Sequence, residues 1–119
     1  MLLAVANGND DSIVLERVGK GRVRLSFLGP RYGRKPIVTL NQAELTYLAA
    51  MIDEARDAKP GVSLREPLNA WVSARVDRRN DDIWVILRRC NQTQDRCVKV
   101  ADPLLGLFCG AFERAAAQA

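Results

Sequence analysis

The sequence predicts an α+β fold built from two copies of one unit, in which antiparallel strands are followed by a helix. The first observation is that the chain aligns with itself without a gap when it is shifted by 60 residues, so that Val23 meets Ile83 and Leu25 meets Val85. The second is that the apolar spacing changes in both copies from every second residue to every third or fourth, as at a strand-to-helix transition. We therefore expect one domain, residues 1–119, with repeats at about 12–59 and 70–117.

The first copy is predicted to contain three strands and one helix. Its strands are expected at Ser12 to Val18, Arg22 to Leu28 and Ile37 to Leu40. A tight turn at Gly19 to Gly21 joins the first two strands. Asn41 and Glu44 have the spacing of a capping box, in which each side chain binds a free backbone amide at a helix start. The helix is therefore expected from Gln42 to Ala58.

The second copy repeats this order. Its strands are expected at Ala70 to Val76, Ile83 to Arg89 and Arg96 to Val100. Asp102 and Pro103 are expected as the N-cap and first residue of a helix at Leu104 to Ala117. This helix is apolar almost all round, so we expect the helices of several subunits to pack together as the core of a homo-oligomer, a dimer or a tetramer. The interface residues are expected to be Leu104, Leu107, Phe108, Ala111 and Phe112.

Composition argues against several classes of protein. The chain has no histidine, and its three cysteines include no C-x-x-C pair, so no metal site and no other cofactor is expected. Without histidine the commonest general base is missing, and we do not expect an enzyme. The apolar run Leu2 to Ala6 is too short for a signal peptide, and no later run could span a bilayer. We expect a cytoplasmic protein that does not enter a membrane.

Positive charge is concentrated in one segment of the first copy. Arg17 to Lys35 carries seven cations and no anion, whereas its counterpart, Asp77 to Asp95, mixes both signs. Alternate residues of a strand lie about 6.6 Å apart, which is close to the backbone spacing of an extended nucleic acid strand. The segment therefore predicts a face that binds polyanions, although cations on a solvated sheet face can also serve solubility alone. The cations assigned to this face are Arg17, Lys20, Arg22, Arg24, Arg34 and Lys35.

Aromatic side chains on the same surface would stack with nucleic acid bases. Tyr32 lies in the loop after the basic strand, and Trp84 aligns with Arg24 on the outer face of the second copy. The alternative for Trp84 is burial at a helix or subunit interface. Trp71 is expected in the core and Tyr47 beside acidic residues, which makes both weaker candidates.

Two short motifs resemble known binders of single-stranded DNA. The segment Lys20 to Ser26, KGRVRLS, resembles the K-G-K-A-A-L-S strand motif of the Whirly proteins, and Gly33 to Leu40, GRKPIVTL, resembles the G-R-K-G-I-S-L segment of the transcriptional coactivator positive cofactor four. The resemblance implies strands followed by a helix, two copies with four strands each, DNA binding on sheet faces and assembly through helices. It would place Lys20, Arg22 and Arg24 on the binding sheet, with Arg34 and Lys35 beside it. Two departures are Pro36 in place of glycine and the lack of a G-R-K segment in the second copy.

The sequence thus predicts a non-enzymatic single-stranded DNA-binding protein that acts in replication, recombination or transcription. Its size and compact duplication would suit a bacterial or bacteriophage protein. Two other interpretations remain open at this point. The same face could bind RNA, or the protein could be a regulator that docks on a polymerase or on another acidic partner.

Overall fold

Four strands and then a helix occur twice along the chain. The structure is a computed structural model that describes residues 1–119. The elements of the first copy are β1 (Leu2–Asn7), β2 (Ser12–Gly19), β3 (Arg22–Gly29), β4 (Gly33–Asn41) and α1 (Gln42–Asp57). Those of the second copy are β5 (Ser63–Pro67), β6 (Val72–Arg78), β7 (Asp82–Arg89), β8 (Arg96–Ala101) and α2 (Asp102–Gln118). Each copy forms an antiparallel sheet with its strands in chain order, and this confirms the predicted α+β class.

The strands β1 and β5 were not predicted from the sequence. In β1, Ala4 and Ala6 are buried against the core, but Leu2 to Ala6 is a short, wholly apolar run, so its sequence shows no alternation of apolar and polar residues. In β5, Ser63 to Pro67, every residue except the half-buried Leu64 is exposed, and the segment forms a strand because it pairs with β6. Both segments form strands because they pair with a neighbouring strand, and the local sequence pattern does not indicate that pairing.

The predicted capping box at the start of α1 is confirmed. The Glu44 amide donates to Asn41 Oδ1 at 2.8 Å, and the Asn41 amide donates to Glu44 Oε1 at 2.9 Å. The predicted N-cap of α2 is wrong, because Ala101 is the cap and Asp102 is already helical. The Asp102 carboxylate instead accepts from Arg78 Nη1 at 2.6 Å, which ties the start of α2 to the end of β6.

The two copies do not superimpose without a gap, contrary to the sequence alignment. Leu25 and Val85 are equivalent in the alignment, and they lie opposite Leu15 and Val76. The path from Leu15 to Leu25 is one residue longer than the path from Val76 to Val85, so β2 contains one residue more than β6. An irregularity between Arg17 and Gly19 takes up this residue. The turn between β5 and β6 is one residue longer than that between β1 and β2 and restores the alignment. The structural equivalent of Asp11 is therefore Val72, and Trp71 lies in the longer turn.

Both copies contribute to one hydrophobic core of 31 buried residues. The helices pack against each other in opposite directions: Gln42 Nε2 at the start of α1 donates to the Ala116 carbonyl near the end of α2 at 2.7 Å. Farther along this contact, burial and the neighbouring Asp53 carboxyl raise the pKa of the Cys109 thiol to about 12. Neither helix is long and apolar enough to cross a membrane.

The predicted helix interface between subunits is wrong for three of its residues. Phe108, Ala111 and Phe112 are completely buried within one chain, where α2 packs against β1 and α1. The apolar helix is covered by the strand that the sequence did not predict, so these side chains are unavailable to a second copy. Of the other two, Leu104 is half-buried against the core, and Leu107 is 75% exposed.

Candidate nucleic-acid interface

The basic strand β3 has the two faces that its alternation predicts. Arg22 and Arg24 are exposed, while Val23 and Leu25 between and beside them are completely buried. Arg22 lies opposite Asn41 and Arg24 opposite Thr39, so the cations face the same side of the sheet as polar residues of the edge strand β4. The outer face of this sheet therefore presents positive charge directly beside an open edge.

Part of this positive charge is neutralised within the sheet. Glu16, the residue just before the basic segment, pairs with Arg34 and lies 3.7 Å from the Arg24 guanidinium. The hydrogen bond from Arg34, supported by the charges of Arg34 and Arg24, holds the pKa of Glu16 below its ordinary value. Lys20 in the turn and Arg22 on the strand form no ion pair. They are the cations of this face that remain fully available to an anionic ligand.

Arg17 and Lys35 do not lie on the predicted basic face. Arg17 sits opposite Val23, on the core side of the sheet, and its Nη1 donates to the Gln118 carbonyl at 3.3 Å. Lys35 lies opposite the buried Phe27, so it projects to the other side of the sheet from Arg34. The prediction fails for both because consecutive residues of a strand point to opposite faces, and the basic segment was treated as one surface.

The two aromatic residues predicted to stack with bases are engaged within the protein. The Tyr32 hydroxyl donates to the Cys97 carbonyl at 3.3 Å and accepts from the Cys97 amide at 3.2 Å. Its ring packs 5.4 Å from the ring of Phe27. Trp84 is half-buried, its Nε1 donates to Asp82, and the Arg79 guanidinium lies 4.4 Å from its ring centre. The Tyr32 ring is thus held at the contact between the copies, and Arg79 covers one face of the Trp84 ring.

Trp71, which was expected in the core, is the most exposed aromatic residue of the chain. Its side chain is 73% exposed, although its backbone is held firmly. Asn69 Oδ1 accepts from the Trp71 amide at 2.8 Å and from the Val72 amide at 3.1 Å, and the Cys90 amide donates to the Trp71 carbonyl at 2.9 Å. The longer turn before β6 thus fixes an indole ring in solvent.

Trp71 lines a groove between the two copies, with a volume of about 400 Å³. Arg22 and Arg89 contribute positive charge to its walls, and the edge strand β4 forms one side. The remaining lining residues are Ile37, Val38, Thr39, Leu40, Asn41 and Glu44. Arg22 belongs both to this groove and to the outer face of β3, so the basic face and the aromatic groove form one continuous surface. We call it the open junction.

The equivalent contact on the other side of the molecule is closed. There the turn Gly8 to Asp11 packs on the edge strand β8: the Asn9 amide donates to the Lys99 carbonyl at 2.9 Å, and Asn9 Oδ1 accepts from the Ala101 amide at 3.0 Å. The hydrogen bonds between Tyr32 and Cys97 lie at the same contact. The buried Asp11 forms an ion pair with Arg31 at 3.0 Å. We call this contact the closed junction.

The outer face of the second sheet has little free positive charge. Arg75 pairs with Asp77 at 3.2 Å, Arg88 with Asp95 at 2.6 Å and Lys99 with Asp82 at 3.6 Å. Those pairs bear out the mixed charge seen in the sequence. A second groove of about 350 Å³ lies on this face; Asp95 counters the charge of Arg88 there and Asp77 that of Arg75, so Arg65 is the one arginine of its lining without an ion pair.

No protein-family model and no curated protein matches this sequence. The function must therefore be argued from the chemistry of the open junction. No group of three or more histidine, cysteine, aspartate or glutamate side chains is placed to hold a metal ion. What the junction offers is an aromatic face, two arginines and polar groups along an open strand edge. The sequence signal for Trp71 was its place two residues after Asn69, in a turn that follows Pro67.

Proposed function

We propose that this protein is a non-enzymatic, cytoplasmic binder of single-stranded DNA that acts in replication, recombination or transcription. One observation carries the proposal: a 73% exposed tryptophan shares a groove with two arginines, at the edge of a basic sheet face. The DNA backbone follows Arg24 and Arg22 along β3, and a base enters the open junction and stacks on Trp71.

Elementary energetics favour this ligand. A base stacked on an aromatic side chain contributes about 1 to 3 kcal/mol in known single-strand binders, and arginines beside the strand neutralise phosphates. Duplex DNA has its bases stacked on one another, so it cannot supply one to Trp71. The four strands in each copy also support the proposal, because that number is the one implied by the resemblance to Whirly proteins.

The two tryptophans of the chain provide a direct test by intrinsic fluorescence. The variant Trp84→Phe leaves Trp71 as the only indole, and Trp71→Phe leaves only Trp84. Each is titrated with an oligothymidylate of about 12 nucleotides, within the site sizes of known single-strand binders. We expect strong quenching in Trp84→Phe and little in Trp71→Phe. Quenching that follows Trp84 instead would place the site on the second sheet and contradict the proposal.

Salt dependence and matched arginine variants test the role of charge. Affinity should fall with salt with a log-log slope of about −0.7 per neutralised phosphate, and Arg22→Ala should weaken binding and make the slope shallower by about one such step. Arg65→Ala is the control, since Arg65 is exposed and unpaired on the other sheet and should leave binding unchanged. Equal affinity for duplex DNA would contradict the proposal. Tighter binding of the matching RNA would reassign the ligand to RNA.

A further inference from the structure

The open junction contains one negative charge among its cations. Glu44 lines the groove with Trp71, Arg22 and Arg89, and it forms no ion pair with any arginine or lysine. Its Oε1 accepts the Asn41 amide at 2.9 Å as part of the capping box, which fixes the side chain at the groove wall. Its Oε2 accepts no hydrogen bond from the protein. A fixed carboxylate with a free oxygen is thus part of the surface that a stacked base would meet.

A carboxylate at this place discriminates between ligand groups. It repels phosphate, which keeps the DNA backbone on the arginines and leaves the groove to the base. It accepts hydrogen bonds from amino groups of bases, as glutamate and aspartate accept from the amino group of cytosine in other complexes. In a single strand the pairing edge of the base is free to make such contacts.

We infer that the open junction selects bases with an amino group on the pairing edge, guanine above all, and disfavours thymine. This inference rests on the proposed function. Guanine presents two neighbouring donors, N1–H and the 2-amino group, to the carboxylate of Glu44. The pairing edge of thymine has a single N–H between two carbonyl oxygens, and those oxygens would face the negative charge. Selectivity then comes from an attractive contact with guanine and a repulsive one with thymine.

The test compares two oligonucleotides on the Trp84→Phe protein, in which Trp71 reports binding. One is the oligothymidylate used above, and the other carries a single guanine at its centre. We expect the guanine to raise affinity about tenfold, within the range that a two-bond contact to a base provides. Replacing the guanine with hypoxanthine, which lacks the 2-amino group, should remove about half of the gain in free energy.

Glu44→Gln separates recognition from folding. Glutamine occupies the same place in capping boxes, so the helix start is kept while the charge is removed. We expect the variant to bind the oligothymidylate more tightly, because the repulsion between the carboxylate and the thymine oxygens is removed, and to lose most of its preference for guanine. Glu54→Gln, the same change on an exposed part of α1 outside the groove, should retain the preference.

The outcomes distinguish the inference from the proposed function. If the oligothymidylate quenches Trp71 but the guanine gives no gain, the inference is wrong and single-strand binding stands. The same conclusion follows if Glu44→Gln keeps the full preference for guanine. If neither oligonucleotide quenches Trp71, the proposed function fails, and the base preference fails with it.

Discussion

The two junctions between the copies occupy equivalent places in the fold and have opposite properties. At the closed junction, the side chain and amide of Asn9 both bind the opposite copy. At the open junction, the equivalent Asn69 binds only amides of its own turn, and Asn41, the equivalent of Ala101, is satisfied by Glu44 of its own helix. The polar groups that join the copies at the closed junction have equivalents at the open junction that form hydrogen bonds only within their own copy. A groove therefore remains between the copies at the open junction.

A difference of one residue in a turn accounts for much of this contrast. In the shorter turn the residue before β2 is Asp11, which is buried and paired with Arg31. In the longer turn the equivalent residue is the apolar Val72, and the additional position lets Trp71 project into solvent. The two contacts share one architecture, and a small local difference closes one of them with hydrogen bonds and leaves a groove at the other.

The largest effect is expected from adding a single carbon at the closed junction. A Cβ at Gly8 would lie 2.4 Å from Val98 Cγ1 and 2.7 Å from the Lys99 carbonyl oxygen, so Gly8→Ala should lower the free energy of unfolding by about 3 kcal/mol. Urea denaturation measures this loss. Gly106→Ala in α2 is the control, because its Cβ meets no atom within 4 Å and should stabilise the helix by about 0.5 to 1 kcal/mol. Equal stability of Gly8→Ala and the original protein would show that this junction is not tightly packed.

Removing the aromatic side chain at either junction, Trp71 or Tyr32, gives the next largest effects. Trp71→Ala should weaken single-strand binding by about 2 kcal/mol and leave the free energy of unfolding within about 0.5 kcal/mol of its original value. Tyr32→Ala should do the opposite: it should lower stability by about 2 kcal/mol, since both hydrogen bonds to Cys97 are lost, and leave binding nearly unchanged. The comparison of the junctions would be wrong if Trp71→Ala unfolded the protein or if Tyr32→Ala abolished binding.

Local patterns in the sequence predicted most of the fold. The alternation of Arg22 to Leu28 and the capping box of Asn41 and Glu44 are properties of neighbouring residues, and both are confirmed. The strand β5 could not be predicted in this way, because its pairing with β6 depends on residues elsewhere in the chain.

The candidate site was less predictable for a related reason. The predicted strand Ala70 to Val76 included Trp71, and only the pairing register reveals the additional turn residue that exposes it. The predicted stacking role of Tyr32 failed because its partner, Cys97, lies in the other copy. Charge alone also could not show that Arg34 is paired with Glu16 across the sheet. Contacts between distant segments decide which polar and aromatic groups remain free.

A smaller effect is expected from the pair of equivalent asparagines. Asn9→Ala removes the acceptor of the Ala101 amide at the closed junction and should lower the free energy of unfolding by about 1 kcal/mol. Asn69→Ala removes the bonds that hold the turn of Trp71, so it should weaken binding more than it lowers stability. Hydrogen exchange checks the location of each change, since Asn9→Ala should accelerate exchange in β8 and Asn69→Ala in its own turn. The same exchange pattern in both variants would contradict the distinction.

The smallest effect is expected at the helix pair, where the two copies meet away from both junctions. A hydrogen bond to Asp53, together with the charge of that residue, raises the pKa of Glu113 above its ordinary value of 4.5.

A carboxyl with a raised pKa stabilises the folded state only while it is protonated, so its contribution is present below pH 4.5 and is lost as the pH rises through the folded pKa. Above that pKa Glu113 is charged, and its charge lies beside the carboxyl group of Asp53 across α1 and α2, an unfavourable contact that Arg56, 3.6 Å from Asp53, offsets only in part. Glu113→Gln keeps a donor beside Asp53 and removes this charge, so it should raise the midpoint of urea denaturation at pH 7 and leave it nearly unchanged at pH 3. Binding should not change at either pH, because Glu113 lines neither junction, and a variant that altered binding would show that the helix pair is coupled to the open junction.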